Sequence, residues 1–169
     1  MKLIKPTEKN RNIVLKFKED MMNRGEVICG GARLMELDFD EWIRHLKLLQ
    51  NEATCPEGLV PSCNYIYVDD DETKVFGIID LRKELNDYLL NYGGHIGYSV
   101  APDERRKGYA GAMLKAALEI YKNEGYGKVL ITCNKNNLAS KKTILSQNGI
   151  FEDERNNGDE TYLRFWFSL

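Results

Sequence analysis

The segment Arg105-Arg106-Lys107-Gly108-Tyr109-Ala110 carries the residue types of an anion-binding loop. Its three cations stand where a helix is predicted to begin, and a helix N-terminus already has roughly half a positive charge. Residues 105–118 contain no Asp or Glu, although the net charge of the chain is −2. Free backbone N–H groups, a glycine and flanking cations therefore predict a phosphate site. The alternative for such a charge triplet is a solvated turn.

Two common phosphate motifs are excluded by the spacing around this loop. The chain has no G-x-x-x-x-G-K-[ST] string, and no G-x-G-x-x-G follows a predicted strand. The spacing is instead Arg105-x-x-Gly108-x-Ala110, directly after a strand that ends in Tyr98-Ser99-Val100-Ala101-Pro102. The anion site thus belongs to neither a P-loop nor a dinucleotide-binding fold.

The elements that must position this loop alternate along the chain. Hydrophobic periodicity predicts strands at 2–5, 65–68, 74–81, 95–100, 128–133 and 161–167, and helices at 9–24, 40–49, 109–123 and 139–147. The strand-helix-strand unit 95–133 predicts a right-handed parallel crossover. The expected architecture is a single α/β domain over residues 1–169, with a central mixed β-sheet flanked by helices.

Composition narrows the class of protein. A hydrophobic content of 43% with 30% charged residues is that of a globular domain. A net charge of −2 gives no general attraction to nucleic acid, and no window approaches about 18 consecutive apolar residues, so no membrane span is expected. The N-terminus is too short in apolar length for a signal peptide, so a cytoplasmic location is expected. Four cysteines without a C-x-x-C pair predict reduced thiols and no metal site.

The loop and a second motif together resemble a known family. Arg105-x-x-Gly108-x-Ala110 resembles the [Q/R]-x-x-G-x-[G/A] signature of the GNAT superfamily of N-acetyltransferases, and Asn137-Leu138-Ala139-Ser140 resembles its N-x-A-S segment. With the strand that follows Gly93-Gly94-His95, the pattern resembles a bacterial branch of predicted acetyltransferases. The resemblance covers essentially the whole chain in element order and implies the GNAT fold.

The resemblance implies a site for acetyl-CoA as co-substrate, with no metal. The pyrophosphate would lie on the backbone N–H groups of residues 105–110, and the pantetheine arm would pair with the splayed strand near Ser99 and Val100. The Val100 N–H would donate to the thioester carbonyl. Asn137 and Ser140 would hold the arm from the other side, while their structural alternative is a helix cap and a first-turn residue.

Two residues are predicted to act on the acceptor amine. His95 is the leading general base, because its ordinary pKa suits proton transfer near neutral pH and it stands on the strand beside the acetyl group. Asp80, at the end of the previous strand, would bind a substrate ammonium or act as the base. A structural role for each is the alternative. Many members carry a Tyr seven residues after the motif Asn, but Ile144 stands there. No general acid is therefore assigned.

The predicted function is transfer of an acetyl group from acetyl-CoA to a primary amine by direct attack in a ternary complex. The alternative is a non-catalytic acyl-CoA sensor or regulatory module of the same fold. The expected partner is a small-molecule or peptide amine, with neither nucleic acid nor membrane, and a homodimer is left open. The sequence does not choose the acceptor.

Overall fold

A computed structural model of the chain describes all 169 residues. Seven strands and four α-helices follow the predicted order with one extra strand. They are β1 Lys2–Ile4, α1 Arg11–Asn23, α2 Phe39–Leu49, β2 Ser62–Val68, β3 Val75–Arg82, β4 Ile96–Val100, α3 Tyr109–Asn123, β5 Lys128–Asn134, α4 Leu138–Ser146, β6 Ile150–Asn157 and β7 Glu160–Ser168. A π-helical turn, Leu89–Gly93, precedes β4.

The strands form two antiparallel sheets that meet along β4 and β5. One sheet has the order β1-β2-β3-β4 and the other β5-β7-β6. The expected parallel ladder between β4 and β5 is absent, because the two strands touch only where they begin. There the His95 N–H donates to the Leu130 carbonyl at 2.7 Å, and no ladder joins the strands beyond that bond. The α/β architecture with a helix-flanked central sheet, predicted from sequence, is confirmed, but the sheet is split along its middle into two antiparallel halves.

Two hydrophobic clusters hold the helices on opposite faces of the first sheet. Side chains alternate across a strand, so Ile78 of β3 packs with α1 and α2 while its neighbour Ile79 packs with α3. Phe165 and Phe167 of β7 are buried in the second cluster, together with Ile144 of α4. The aromatic strand near the C-terminus therefore completes the core.

Strand β6 was not predicted. Its sequence, Ile-Phe-Glu-Asp-Glu-Arg-Asn-Asn, lacks hydrophobic alternation, and most of its residues are exposed. It lies at the sheet edge and pairs only with β7, so hydrogen bonding to a single neighbour sets its conformation. Charged residues on an edge also discourage pairing with other chains.

The helices, the cysteines and the possible metal ligands were each compared with the class predicted from composition. No helix combines the length and the apolar character needed to cross a bilayer. All four cysteines are free thiols. No group of three or more His, Cys, Asp or Glu side chains is arranged to hold a metal ion.

Candidate functional site

The N-terminus of α3 presents a row of unused backbone donors. The first helical bond runs from the Ala112 N–H to the Gly108 carbonyl at 3.0 Å, and the N–H groups of residues 106–111 donate to no acceptor in the protein. Gly108 has φ +86°, which a residue with a side chain adopts at a cost. A Cβ built at Gly108 meets nothing within 4 Å, so the space above these donors is open. Six free donors at a long helix N-terminus fit an anion.

The flanking cations are less free than the sequence suggested. Arg105 forms a two-pronged pair with Glu26, with Nη1 to Oε1 at 2.8 Å. The buried Glu104 accepts from Lys74 at 2.6 Å and from Lys107 at 2.9 Å. These bonds, the Lys74 bond foremost, hold the pKa of Glu104 below its usual value.

Arg106 alone among the three cations has no carboxylate partner. It is exposed and has φ +64°, so its backbone turns sharply at the loop. Residues 105–118 contain no acid, but Arg105 and Lys107 find carboxylate partners outside that segment, in Glu26 and Glu104. The uncompensated charge for a bound anion comes from Arg106 and the helix.

One edge of β4 is unpaired beside this loop. The Ala101 N–H donates to the Phe76 carbonyl and the Arg82 N–H donates to the His95 carbonyl, both at 2.9 Å. The backbone N–H and C=O groups of the odd-numbered residues along β4 therefore point towards β3. The peptide groups of Tyr98 and Val100 consequently point away from β3, towards the gap where β5 makes no ladder. The Val100 carbonyl accepts only a long bond, 3.3 Å, from Arg105 Nε. This edge can pair with an extended chain.

The first turn of α4 faces the same gap. The Asn137 side chain caps α4 by accepting from the Ser140 N–H at 3.0 Å, which is the structural role foreseen for it. Ser140 Oγ lies 2.9 Å from the hydroxyl of Tyr98. Burial raises the pKa of Tyr98, so the hydroxyl keeps its proton at neutral pH. Tyr98 was not singled out from sequence, because only the fold brings it to Ser140.

The connection between α1 and α2 covers the other face of β4 through backbone contacts. Gly30 lies on the Gly97 peptide, where a Cβ at position 30 would be 2.1 Å from the Gly97 carbonyl oxygen. Ser99 Oγ donates to the Cys29 carbonyl at 3.0 Å, and Asn64 Nδ2 donates to the Gly30 carbonyl at 2.6 Å. These contacts hold the connection against β4, and we call the connection, residues 24–38, the roof.

Asp80 lies beneath this roof in a buried polar group. It is 6% exposed and sits opposite Asn64 across the β2–β3 ladder. Its Oδ2 is 3.3 Å from Nε of Arg82. Nη1 of Arg82 donates hydrogen bonds to the carbonyls of Gly93 and Gly94, at 3.0 and 2.9 Å. Oδ1 of Asp80 and Oδ1 of Asn64 have no hydrogen-bond partner.

Opposing effects set the pKa of Asp80. Burial raises the pKa, and the Arg82 guanidinium and the polar side chains of Ser62 and Asn64 oppose that rise. The rise is the larger effect. An unpartnered carboxylate oxygen with a raised pKa is suited to accept a proton or a donor group.

His95 lies at the joint between the two sheets. Its Nδ1 accepts from the Leu130 N–H at 2.9 Å, and its ring packs edge-on against Tyr121, Tyr126 and Trp166. Burial lowers the pKa of His95 to about 4. Only Nε2 remains for a proton, so these surroundings favour a structural role, and the assignment of His95 as general base stays a prediction.

The structure thus brings most predicted residues to one cleft. Ser99, Val100 and the loop 105–110 lie along β4 and the start of α3, while Asn137 and Ser140 face them from α4. Asp80 lies under the roof on β3 and His95 at the sheet joint. Asn64 and Tyr98 are additions that only the cross-strand register and the packing of α4 could reveal.

Solved structures of known proteins share this fold. A spermidine N-acetyltransferase SpeG variant from Vibrio cholerae has a TM-score of 0.68 at 15% identity, over 99% of this chain and 95% of that one. A RimL ribosomal L7/L12 alpha-N-protein acetyltransferase in complex with coenzyme A has a TM-score of 0.68 at 15% identity, over 99% of this chain and 93% of that one. A ribosomal-protein-S5-alanine acetyltransferase from Vibrio fischeri has a TM-score of 0.65 at 13% identity, over 98% of this chain and 91% of that one. At these identities the likeness shows the fold.

A family model described as "Acetyltransferase (GNAT) family" matches residues 25–148. No curated protein matches the chain. The matched range contains the roof over β4, the whole of β4, the donor row of α3 and the cap of α4. The chain belongs to the GNAT acetyltransferase family.

Proposed function

We propose that this protein is an N-acetyltransferase that moves an acetyl group from acetyl-CoA to a primary amine, by direct attack while both are bound. The observation that carries the proposal is the continuity of two unused hydrogen-bonding surfaces, the six free N–H groups of residues 106–111 and the open edge of β4. Family membership supports the class of reaction. The similar structures are named for amine acceptors, which is consistent with it.

The residues present fit the co-substrate, which supplies an activated thioester when bound. The free N–H groups of the α3 N-terminus and the Arg106 side chain would hold the pyrophosphate. The open edge of β4 would pair with the arm through the peptides of Tyr98 and Val100. The Val100 N–H would then donate to the thioester oxygen, where negative charge develops during attack.

Proton movements are assigned to two side chains on opposite sides of β4. Asp80 Oδ1, which has no partner, would accept the proton that the amine loses, directly or through a water. The Tyr98 hydroxyl would donate its proton to the departing sulfur, and the Ser140 hydroxyl beside it would hold that proton donor in place. Because a thiol has a pKa near 8.5, this donation assists a leaving group that is already moderate.

The test combines binding with turnover. Acetyl-CoA should raise the unfolding midpoint, with about 2.7 kcal/mol of stabilisation at a concentration of about 100 Kd. Thiol release should follow when an amine panel is added. Absence of stabilisation up to millimolar acetyl-CoA contradicts the proposal. Stabilisation without thiol release from any amine supports the sensor instead.

A further inference from the structure

Three tyrosine rings form a row beside the cleft. Tyr88 and Tyr92 have ring centroids 5.7 Å apart, and Tyr92 and Tyr162 are 5.9 Å apart, each pair tilted by nearly 60°. Tyr88 is 56% exposed, and the other two are half-buried. The hydroxyl of Tyr162 donates to Glu160 at 2.6 Å. We call Tyr88, Tyr92 and Tyr162 the tyrosine row.

The row leads from the surface to the gap between β4 and β5. The Tyr92 carbonyl accepts from Thr132 Oγ1 at 2.6 Å, and Tyr162 pairs with Asn134 at the end of β5. Asn134 is the last residue of β5, on the side of the gap opposite β4. The inner end of the row therefore lies at the wall of the gap where the arm of the co-substrate is proposed to lie. The hydrogen bond to Glu160 and burial raise the pKa of Tyr162 to about 12.

The charges around the row favour a cation. Tyrosine faces are electron-rich, and Glu160 places a carboxylate at Tyr162. Two cations flank the row: Arg155 lies opposite Tyr162 on β6, and Arg164, two residues after Tyr162 on β7, donates to the Leu90 carbonyl. Arg155 is paired with Asp153, and Arg164 is paired with Glu152 and Asp153, so both charges are compensated.

We propose that the tyrosine row binds a second cationic group of the acceptor, so that the preferred acceptor is a small linear amine with one reactive primary amine and one further positive charge. This inference rests on the proposed function. One end of the molecule would reach β4 under the roof, while the other rests on the rings of the row. Cation–π contacts contribute about 0.5–2 kcal/mol each, which corresponds to a severalfold to about 30-fold preference.

The test compares hexamethylenediamine with n-hexylamine, which has the same chain length and one charge. The wild type should acetylate the diamine with kcat/KM about tenfold above that of the monoamine. Tyr88→Ala should remove most of this preference by raising the KM of the diamine more than the KM of the monoamine. Tyr88→Phe keeps the ring and should keep the preference, and so should Leu90→Ala, which removes an exposed apolar side chain from the same turn.

The outcomes separate this inference from the proposed function. Thiol release at equal rates with both amines, or equal losses for both in Tyr88→Ala, overturns the row as a cation site while transferase activity stands. If no amine releases thiol, the proposed function fails. Calorimetric titration of CoA-saturated protein with hexamethylenediamine then tests whether the tyrosine row binds a cation. Binding that Tyr88→Ala abolishes supports the row, and no binding overturns it.

Discussion

The hydroxyl of Tyr98 on β4 lies 2.9 Å from Oγ of Ser140 in the first turn of α4. This bond crosses the side of β4 that no strand covers, and it links the two halves of the split molecule. The same gap is where the arm of acetyl-CoA is proposed to lie. In the proposed complex the Tyr98 hydroxyl would lie beside the departing sulfur as a proton donor, whereas Ile144, where many family members carry a Tyr, is buried in the core.

Removing the Tyr98 hydroxyl should slow turnover without weakening cofactor binding. Tyr98→Phe keeps the ring and should lower kcat by about 10- to 100-fold, at the low end for general acid catalysis because a thiolate leaves readily. The measurements are thiol release and the Kd of acetyl-CoA. Tyr126→Phe is a control, since it also removes one hydroxyl bond, to the Lys83 carbonyl at 2.8 Å. Equal kcat in Tyr98→Phe and wild type would contradict the assignment.

A matched pair of glycines tests the anion site. Gly108 and Gly125 have φ of +86° and +85°, and a Cβ at either meets nothing within 4 Å. Alanine at either position should cost about 1 kcal/mol of stability, because that conformation suits glycine. Only Gly108→Glu should abolish acetyl-CoA binding, since Gly125→Glu lies at the far end of α3. Calorimetry and thermal unfolding measure both effects, and unchanged affinity in Gly108→Glu would mean that the pyrophosphate lies elsewhere.

Replacement of Asp80 should affect the acceptor half of the reaction. Asp80→Asn keeps the shape and removes the proton acceptor, so kcat/KM for the amine should fall by about 100-fold or more. The acidic limb of the pH–rate profile should also disappear. The Kd of acetyl-CoA serves as the internal control and should not change. A retained acidic limb with near-normal turnover would assign the base to another group, His95 first among them.

The stability of the protein should depend on pH through His95. Because its folded pKa is about 4 against 6.5 for the free side chain, the unfolded chain binds the extra proton first. The stabilisation is complete above pH 6.5 and is lost as pH falls from 6.5 towards 4, by about 1.4 kcal/mol per unit. Urea unfolding at several pH values measures this slope.

Variants separate the contributors to that slope. His95→Gln should flatten the slope in this window, whereas His45→Gln should remove only the smaller part that arises from its own lowered pKa. Asp80, whose pKa is raised, acts with the opposite sign, so the difference between each variant and wild type is the quantity to compare. An unchanged slope in His95→Gln would mean that His95 is not buried in its neutral form.

Local signals predicted the parts of the fold that local chemistry determines. Helix α3 begins at Tyr109 and ends at Asn123 as expected, because Gly108 and Gly125 bound it and its apolar stripe is regular. Helix α2 begins at Phe39, one residue before its predicted start, because Asp38 caps it by accepting from the Glu41 N–H at 2.8 Å. Strand β6 was missed because its polar sequence carries no alternating pattern.

Only those parts of the site that lie within short contiguous motifs could be predicted from the sequence. The loop at Gly108 and the cap at Asn137 are visible in sequence, since each is a short run with a known backbone role. The pairing of Arg105 with Glu26 joins residues 79 positions apart, and the opposition of Asn64 to Asp80 depends on strand register. Such contacts arise from tertiary folding and leave no local pattern.

The open edge of β4 has a further consequence for how this protein behaves in a crowded solution. An unpaired strand edge ordinarily recruits strands from other molecules and seeds aggregation. Here the edge is recessed between the two sheets, with Tyr98 reaching across to α4, so a neighbouring protein would meet the flanking walls first. We therefore expect this edge to pair with strands of other molecules less readily than an edge strand on the outside of a sheet does.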